Sequence, residues 1–499
     1  MILGCRRVLG PFTRKTRLRI LLEIPFSNPY LYNIPDTYIR FLLPGVLLID
    51  GVPSMTPSRQ AQECSHENLV YQPSPHASQA GYRSYDPRQL LVAAGKNSKD
   101  VPSTPSTFPA PLVLPNDDLA LGPRYPPQSF RSWLRGKDRN EITSDRRVIY
   151  IAAPPKVDND IVFVRRWILP RLSNSRGGVG KTRKGSIETP ISTPKTNDVV
   201  EYLAAFYHGM TVKQLPFDLT YASWDDEEQT SKTKSTSSPF IALNTPYESV
   251  RIRTRTCPDD MFPTQLSLND LLDVAISVLP KDAYALLMLV DHDLYEDEDD
   301  DFCCGRAYGG SRVAVVSKAR YNPVLDGVQG VERQHAWPAS HCENYVKESC
   351  ATVSWPSKKA KTDVAPSTTV ENSDSESNAL EIAVRAHRTI PPDKLSTPEH
   401  LASLWLSRTT RTASHELGHC FGIDHCVYYA CIMQGTASMA EDVRQPPYLC
   451  PVELAKIQRA IGLTDKDVME RYKALQNFCG RPGSGFAGFG CWIRGRIGE

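Results

Sequence analysis

The 499-residue chain predicts an α+β fold: a twisted mixed sheet with helices laid on it, a long helix below carrying a histidine motif, and a mainly irregular C-terminal subdomain. Three observations lead there. Short β-branched and apolar runs at residues 147–152, 284–290 and 312–317 have the length and content of buried strands. Residues 268–279 space their apolar side chains as an amphipathic helix does. From Thr397 to His425, helix start signals, apolar residues at helical spacing and three histidines follow one another in a single segment.

Composition sets the limits of that domain. The chain has 40 Pro and 29 Gly, and its first ~140 residues show little periodicity, so one large folded domain with long irregular additions is expected. The basic start, with Arg6, Arg7, Arg14, Lys15, Arg17 and Arg19 before the first acid at Glu23, reads either as a mitochondrial transit peptide or as translation upstream of a start at Met55. The expected division is therefore a basic extension at 1–54, a Pro/Ser-rich tail at 55–145 with a few docking segments, and the domain at 146–480. A solvated insertion at 351–378 interrupts that domain, and a Gly-rich tail at 481–499 follows it.

Charge and hydropathy exclude several function classes. A net charge of +2 with well-mixed signs gives no field to draw nucleic acid or a membrane, and no apolar run approaches the ~20 residues that span a bilayer. Thirteen cysteines without a secretory signal suit a reducing compartment, cytoplasmic or nuclear, or mitochondrial if residues 1–54 act as a leader. A monomer is expected. Two segments imitate ligand sites. Residues 177–182 resemble a phosphate loop, but Ser175 stands where that loop requires its first glycine, so a basic loop is the reading. The acidic run 296–301 lacks the glycine turn and alternating ligands of a calcium loop, and reads as a solvated connection between strands.

The chemistry lies in the helix that Thr397 caps, Pro398 opens and Glu399 favours at its positive end. Leu401, Leu404, Trp405 and Ala413 lead it into His415-Glu-Leu-Gly-His-Cys-Phe-Gly-Ile-Asp-His425. His415 and His419, four apart, project from one helix face and can grip one ion. Gly422 can take the positive φ that turns the chain back and brings His425 round as third ligand. Three imidazoles suit Zn2+ with a coordination position left open, the arrangement of catalytic sites. Glu416, beside His415 but not a ligand, is placed to take a proton from a zinc-activated water.

The motif continues as His425-Cys426, four residues, Cys431-Ile-Met433 and later Cys450, with weaker echoes at Asp291-His-Asp-Leu-Tyr295, Gly305-Arg-Ala-Tyr308 and Ser317-Lys-Ala-Arg320. In these residues the chain resembles the archaemetzincin family of metzincin-type zinc metallopeptidases. The resemblance implies a metzincin-like zincin domain, peptide or protein substrates and a turn at Met433 beneath the catalytic metal. It also implies a second, structural Zn2+ held by cysteines, here Cys426, Cys431 and Cys450. The family ends in Cys-x-x-Cys, whereas this chain has Cys450-Pro-Val-Glu453, so Glu453, Cys479 or a water would have to complete the second site. The expected function is hydrolysis of peptide bonds with Glu416 as general base. The alternatives are a zinc-dependent recognition module without hydrolytic activity, and a zinc hydrolase of some other amide.

Overall fold

The computed structural model describes residues 64–498 apart from 65, 98, 116, 118–124, 138, 172–190, 225–238 and 352–377. By contacts the chain divides into Met1–Gln62 and Glu63–Glu499, and the described elements belong to the second unit. The extension at 1–54, the loop at 177–182 and the insertion between Ala351 and Asn378 therefore lie outside the described residues.

The strands are β1 (Val148–Ala152), β2 (Lys156–Val157), β3 (Thr211–Gln214), β4 (Thr220–Ala222), β5 (Phe240–Asn244) and β6 (Ser249–Arg255), then β7 (Gln265–Ser267), β8 (Ala283–Val290), β9 (Asp293–Tyr295), β10 (Gly305–Tyr308) and β11 (Val313–Ser317). The principal helices are α1 (Pro87–Ala93), α2 (Phe130–Arg135), α3 (Thr196–Phe206), α4 (Leu268–Ser277) and α5 (Glu343–Ala351). They are followed by α6 (Ala379–Arg388), α7 (Pro398–Cys420), α8 (Pro451–Ile461), α9 (Asp465–Cys479) and α10 (Ala487–Ile497).

The three runs read as strands, now β1, β8 and β11, are parallel neighbours in one sheet of order β10-β11-β8-β1-β3, whose edge strand β10 is antiparallel. A second mixed sheet runs β2-β4-β5-β6-β7-β9. Strand side chains alternate between faces, and both faces of the first sheet are covered. Ile149, Ile151, Ala285, Leu287 and Leu289 join a core with Leu203, Leu417 and Phe421. Tyr150, Ala152, Leu286, Met288 and Val290 join another with Leu271, Leu272 and Val274 of α4. Every residue of β8 is buried in consequence, which is why its sequence is an unbroken apolar run without alternation.

The parallel register of β8 and β11 sets Val290 opposite Ser317, so the segments just beyond them lie side by side. Lys318 Nζ meets Asp291 Oδ1 at 2.8 Å, and Ser317 Oγ donates to the His292 carbonyl at 2.6 Å. Arg320 grips both oxygens of Asp293 at 2.9 and 2.6 Å. The acidic run 296–301 is the expected connection, held by its backbone: Arg255 Nη1 donates to the carbonyls of Asp297 and Glu298, each at 3.1 Å.

Three expectations are corrected. The described residues between 64 and 145 hold the short helices α1 and α2 and little other regular structure, yet the folded unit begins near residue 63 and not near 146. Phe108 packs edge-on against Tyr448 and Trp492, and Trp133 is buried in the main core. The Gly-rich stretch 481–499 is no tail, since α10 buries Trp492 in stacked contact with Tyr448, centroids 4.2 Å apart. The C-terminal subdomain is irregular over 421–450 apart from one short helical turn at Met439–Asp442, and α8, α9 and α10 make most of the rest helical. Small glycines let α10 approach closely: a Cβ at Gly495 would stand 2.9 Å from Ala379 Cα of α6. Low local periodicity hid these elements because their apolar partners come from distant parts of the chain. Among the described residues, no helix is long and apolar enough to cross a membrane.

Candidate metal centre

Helix α7 begins as its sequence requires, with Thr397 accepting from the His400 N–H and Pro398 in the first turn. It runs through the motif to Cys420, and Gly422 at φ +72° turns the chain back toward it. That turn brings His425 to His415 and His419, and the ligand atoms of the three rings lie within 4.8 Å of one another.

The hydrogen bonds of the first two rings decide what the cluster can do. His415 Nδ1 donates to the Ile432 carbonyl at 2.6 Å, and His419 Nδ1 to the Ile423 carbonyl at 2.7 Å. A neutral ring that donates from Nδ1 carries a lone pair on Nε2. The two Nε2 atoms stand 3.1 Å apart, and lone pair facing lone pair at that distance repels unless a cation lies between. Two imidazoles on one tetrahedral zinc stand about 3.3 Å apart. The donor set therefore fits zinc, with the Nδ1 partners fixing ring orientation. Burial first, and then the neighbouring imidazoles, hold His415 well below the usual histidine range and His425 down at about 3. Both rings stay neutral, which a metal ligand must be.

Glu416 is buried beside this cluster. Burial pushes its carboxyl up to about 8, against the pull of Arg306 and of a hydrogen bond from the Ala307 backbone N–H. Ala307 lies in β10, so the outer edge of that strand turns toward the carboxylate. The three histidines, Glu416, Gly305, Arg306 and Ala307 line one cavity of about 880 Å³. Met433 sits beneath α7: a Cβ at Gly418 would meet Met433 Sδ at 2.5 Å. Glycine there lets the turn close up under the helix.

Several supporting residues came from the stretch read as a tail. The last carbonyls of a helix lack internal partners, and here they are met from residues 128–140. Trp133 Nε1 donates to the Phe421 carbonyl at 2.9 Å, Asn140 Nδ2 to that of Cys420 at 3.2 Å, and Gln128 Nε2 to that of Gly422 at 3.0 Å. Gln128 also receives the Asp424 N–H at 3.1 Å, and the Tyr125 ring stands edge-on to His425 at 4.4 Å. The available signal was Ser129 capping a short run that contains a tryptophan, but nothing local indicated where that run would dock.

Cys426, Cys431 and Cys450 form a second cluster, fully buried, with ligand atoms within 4.8 Å of one another. The Cys426 N–H donates to the Met433 carbonyl at 2.7 Å, so the two clusters share a turn. Burial raises the Cys431 thiol, but hydrogen bonds from Cys426 and Cys450 prevail and bring it down to about 5. Glu453 is buried one helical turn from Cys450, paired with Lys456 Nζ at 2.8 Å, and Lys456 in turn donates to Gln128 Oε1 at 2.8 Å. Cys479 stands apart from the cluster, against Gly490 of α10.

The family model described as Peptidase family M54 matches residues 393–459. Archaemetzincin-2 of Macaca fascicularis is 24% identical over 383 residues, 76% of this chain and 76% of the relative. Archaemetzincin-2 of Mus musculus is 42% identical over 83 residues, 17% of this chain and 22% of the relative. The crystal structure of archaemetzincin from Methanopyrus kandleri aligns with 64% of this chain and 98% of its own, at 17% identity and a TM-score of 0.27.

Proposed function

We propose that this chain is an archaemetzincin-like zinc metallopeptidase in which His415, His419 and His425 hold the catalytic zinc and Glu416 serves as general base in peptide-bond hydrolysis. The facing Nε2 atoms of His415 and His419, 3.1 Å apart with both Nδ1 atoms engaged, carry this reading. Zinc, when bound, supplies Lewis acidity to a water and to the scissile carbonyl. Glu416 takes the proton of that water and delivers it to the leaving amine. Its buried setting, which raises its proton affinity, suits a group that must hold a proton between the two steps. The outer edge of β10 faces the same cavity as Glu416, which engages its Ala307 N–H, and an extended peptide in that cavity would lie beside that strand and across α7. The test is cleavage of a mixed peptide library by the zinc-loaded chain. Cleavage should disappear with chelator and return with zinc, whereas peptide binding without cleavage would make the chain a recognition module.

Cys426, Cys431 and Cys450 are proposed to hold a second, structural zinc. Three thiolates are strong soft ligands, and Glu453 is the nearest carboxylate to complete them. Its pairing with Lys456 competes with that role, so this zinc is expected to bind more weakly than in a four-cysteine site. Metal analysis of Cys431→Ser should show about one zinc fewer per chain. Glu453→Cys should tighten the site and raise the melting temperature, because metal affinity at a structural site is folding free energy. An unchanged zinc count and melting temperature in Cys431→Ser would leave the cluster as packed thiols.

A further inference from the structure

A third group of metal-ligating side chains stands outside both clusters. Residues 68–70 run antiparallel to 341–343: the Val70 N–H donates to the His341 carbonyl at 2.8 Å, the Glu343 N–H to the Asn68 carbonyl at 2.9 Å, and Leu69 bridges Cys342. This crossing carries Cys64 and His66 to His335 and Cys342, across more than 260 residues of sequence. The ligand atoms of Cys64, His66 and His335 lie within 4.8 Å of one another. Cys64 Sγ is 3.1 Å from Cys342 Sγ.

Both imidazoles are more than nine-tenths buried, at 8% exposure for His66 and 7% for His335, and the Nε2 of each has no hydrogen-bond partner. Leaving a buried polar atom unsatisfied forfeits its hydration with nothing in return, and native proteins rarely tolerate two together. His335 is also held as metal-bound histidines are. Its Nδ1 meets Glu332 Oε2 at 3.0 Å, and its ring stacks on Tyr345 with centroids 4.0 Å apart. The carboxylate fixes the tautomer and turns the Nε2 lone pair inward. The His66 ring stands edge-on to it at 5.3 Å.

We propose that Cys64, His66, His335 and Cys342 form a zinc site, separate from the catalytic and three-cysteine clusters, that ties the 64–71 segment to the loop preceding α5. Two imidazoles and two thiolates are a closed tetrahedral zinc set, structural in kind. Two thiolates on one zinc stand about 3.8 Å apart, so the sulfurs separate slightly on binding. The tied loop reaches the cleft wall: the Trp337 N–H donates to the Val443 carbonyl at 2.9 Å, between the cavity-lining residues Asp442 and Gln445.

The experiment is residue-resolved alkylation by mass spectrometry of the full chain purified without chelator. Cys64 should react slowly, speed up about ten-fold or more when zinc is removed, and slow again when zinc is restored. Cys257, buried in another core cluster, serves as the reference for intact folding and should stay slow throughout. Equal Cys64 reactivity with and without zinc would overturn the proposal and leave a water between the two histidines. Cys64 and Cys342 unreactive until a reductant is added would overturn it in favour of a disulfide. If Cys257 also becomes reactive on zinc removal, His66→Ala decides: it should carry about one zinc fewer per chain while Cys431 keeps its zinc protection, and an unchanged zinc count refutes the site.

Discussion

Glu416→Gln is expected to lower kcat/KM for peptide hydrolysis by about 10²–10⁴-fold, the range that a positioned general base contributes, while the zinc content stays that of the wild type. The amide matches the carboxylate in shape, and its oxygen can still accept the Ala307 N–H that orients the side chain. It cannot hold a proton. Two of the three rings keep their own anchors, since the carbonyls of Ile432 and Ile423 fix His415 and His419 independently of Glu416. Loss of turnover with metal retained would separate a proton-transfer role from a ligand role, and His419→Ala, which should lose the metal, supplies the contrast. Turnover within a few-fold of wild type at full zinc occupancy would show that another group moves the proton.

The largest loss of stability is expected from Arg320→Met, at about 3–5 kcal/mol, the cost of leaving a buried charge unpaired. Arg320 and Asp293 are both at 0% side-chain exposure, and the guanidinium also reaches Asp259 Oδ2 at 2.6 Å while lying 4.2 Å from the Phe302 ring centroid. Without the arginine, Asp293 keeps, among the described residues, uncharged donors such as Gln265 Nε2 at 2.8 Å. Urea unfolding should show the drop in midpoint, and the double variant Arg320→Met/Asp293→Leu should recover much of it, because an apolar pair removes the stranded carboxylate. A single-variant loss under about 1 kcal/mol would mean that water or a proton reaches Asp293 freely. The effect also bears on the cleft, because Asp293 begins β9, which leads through the acidic connection into β10 and the strand edge facing Glu416.

Local chemistry made the centre of the protein legible in sequence. The cap at Thr397, the helical spacing of Leu401 and Trp405, the four-residue step from His415 to His419 and the positive-φ glycine at 422 all act within a few residues of one another. Strands β1, β8 and β11 were equally readable, because burial on both faces demands continuous apolar runs. These signals depend on backbone periodicity, so they survive without knowledge of what the chain packs against.

Tertiary structure alone decided which distant residues complete the site. Trp133, Asn140 and Gln128 meet the carbonyls at the end of α7 from more than 270 positions earlier in the chain, and no local pattern marks a side chain for a partner so far away. Trp492 of the Gly-rich end is buried because Phe108 and Tyr448 come to meet it, not because its own segment is amphipathic. Asp293 and Arg320 stood in the sequence as two separate echoes, and the parallel register of β8 and β11 made them an ion pair. Sequence by itself determined the histidine-bearing helix and the proposed ligand set, because two histidines at helical spacing and a third beyond a glycine turn are brought together by local geometry. The shell that holds it, and the meeting of Cys64 and His66 with His335 and Cys342, depend on the path of the chain through space, which only the summed packing of both cores selects.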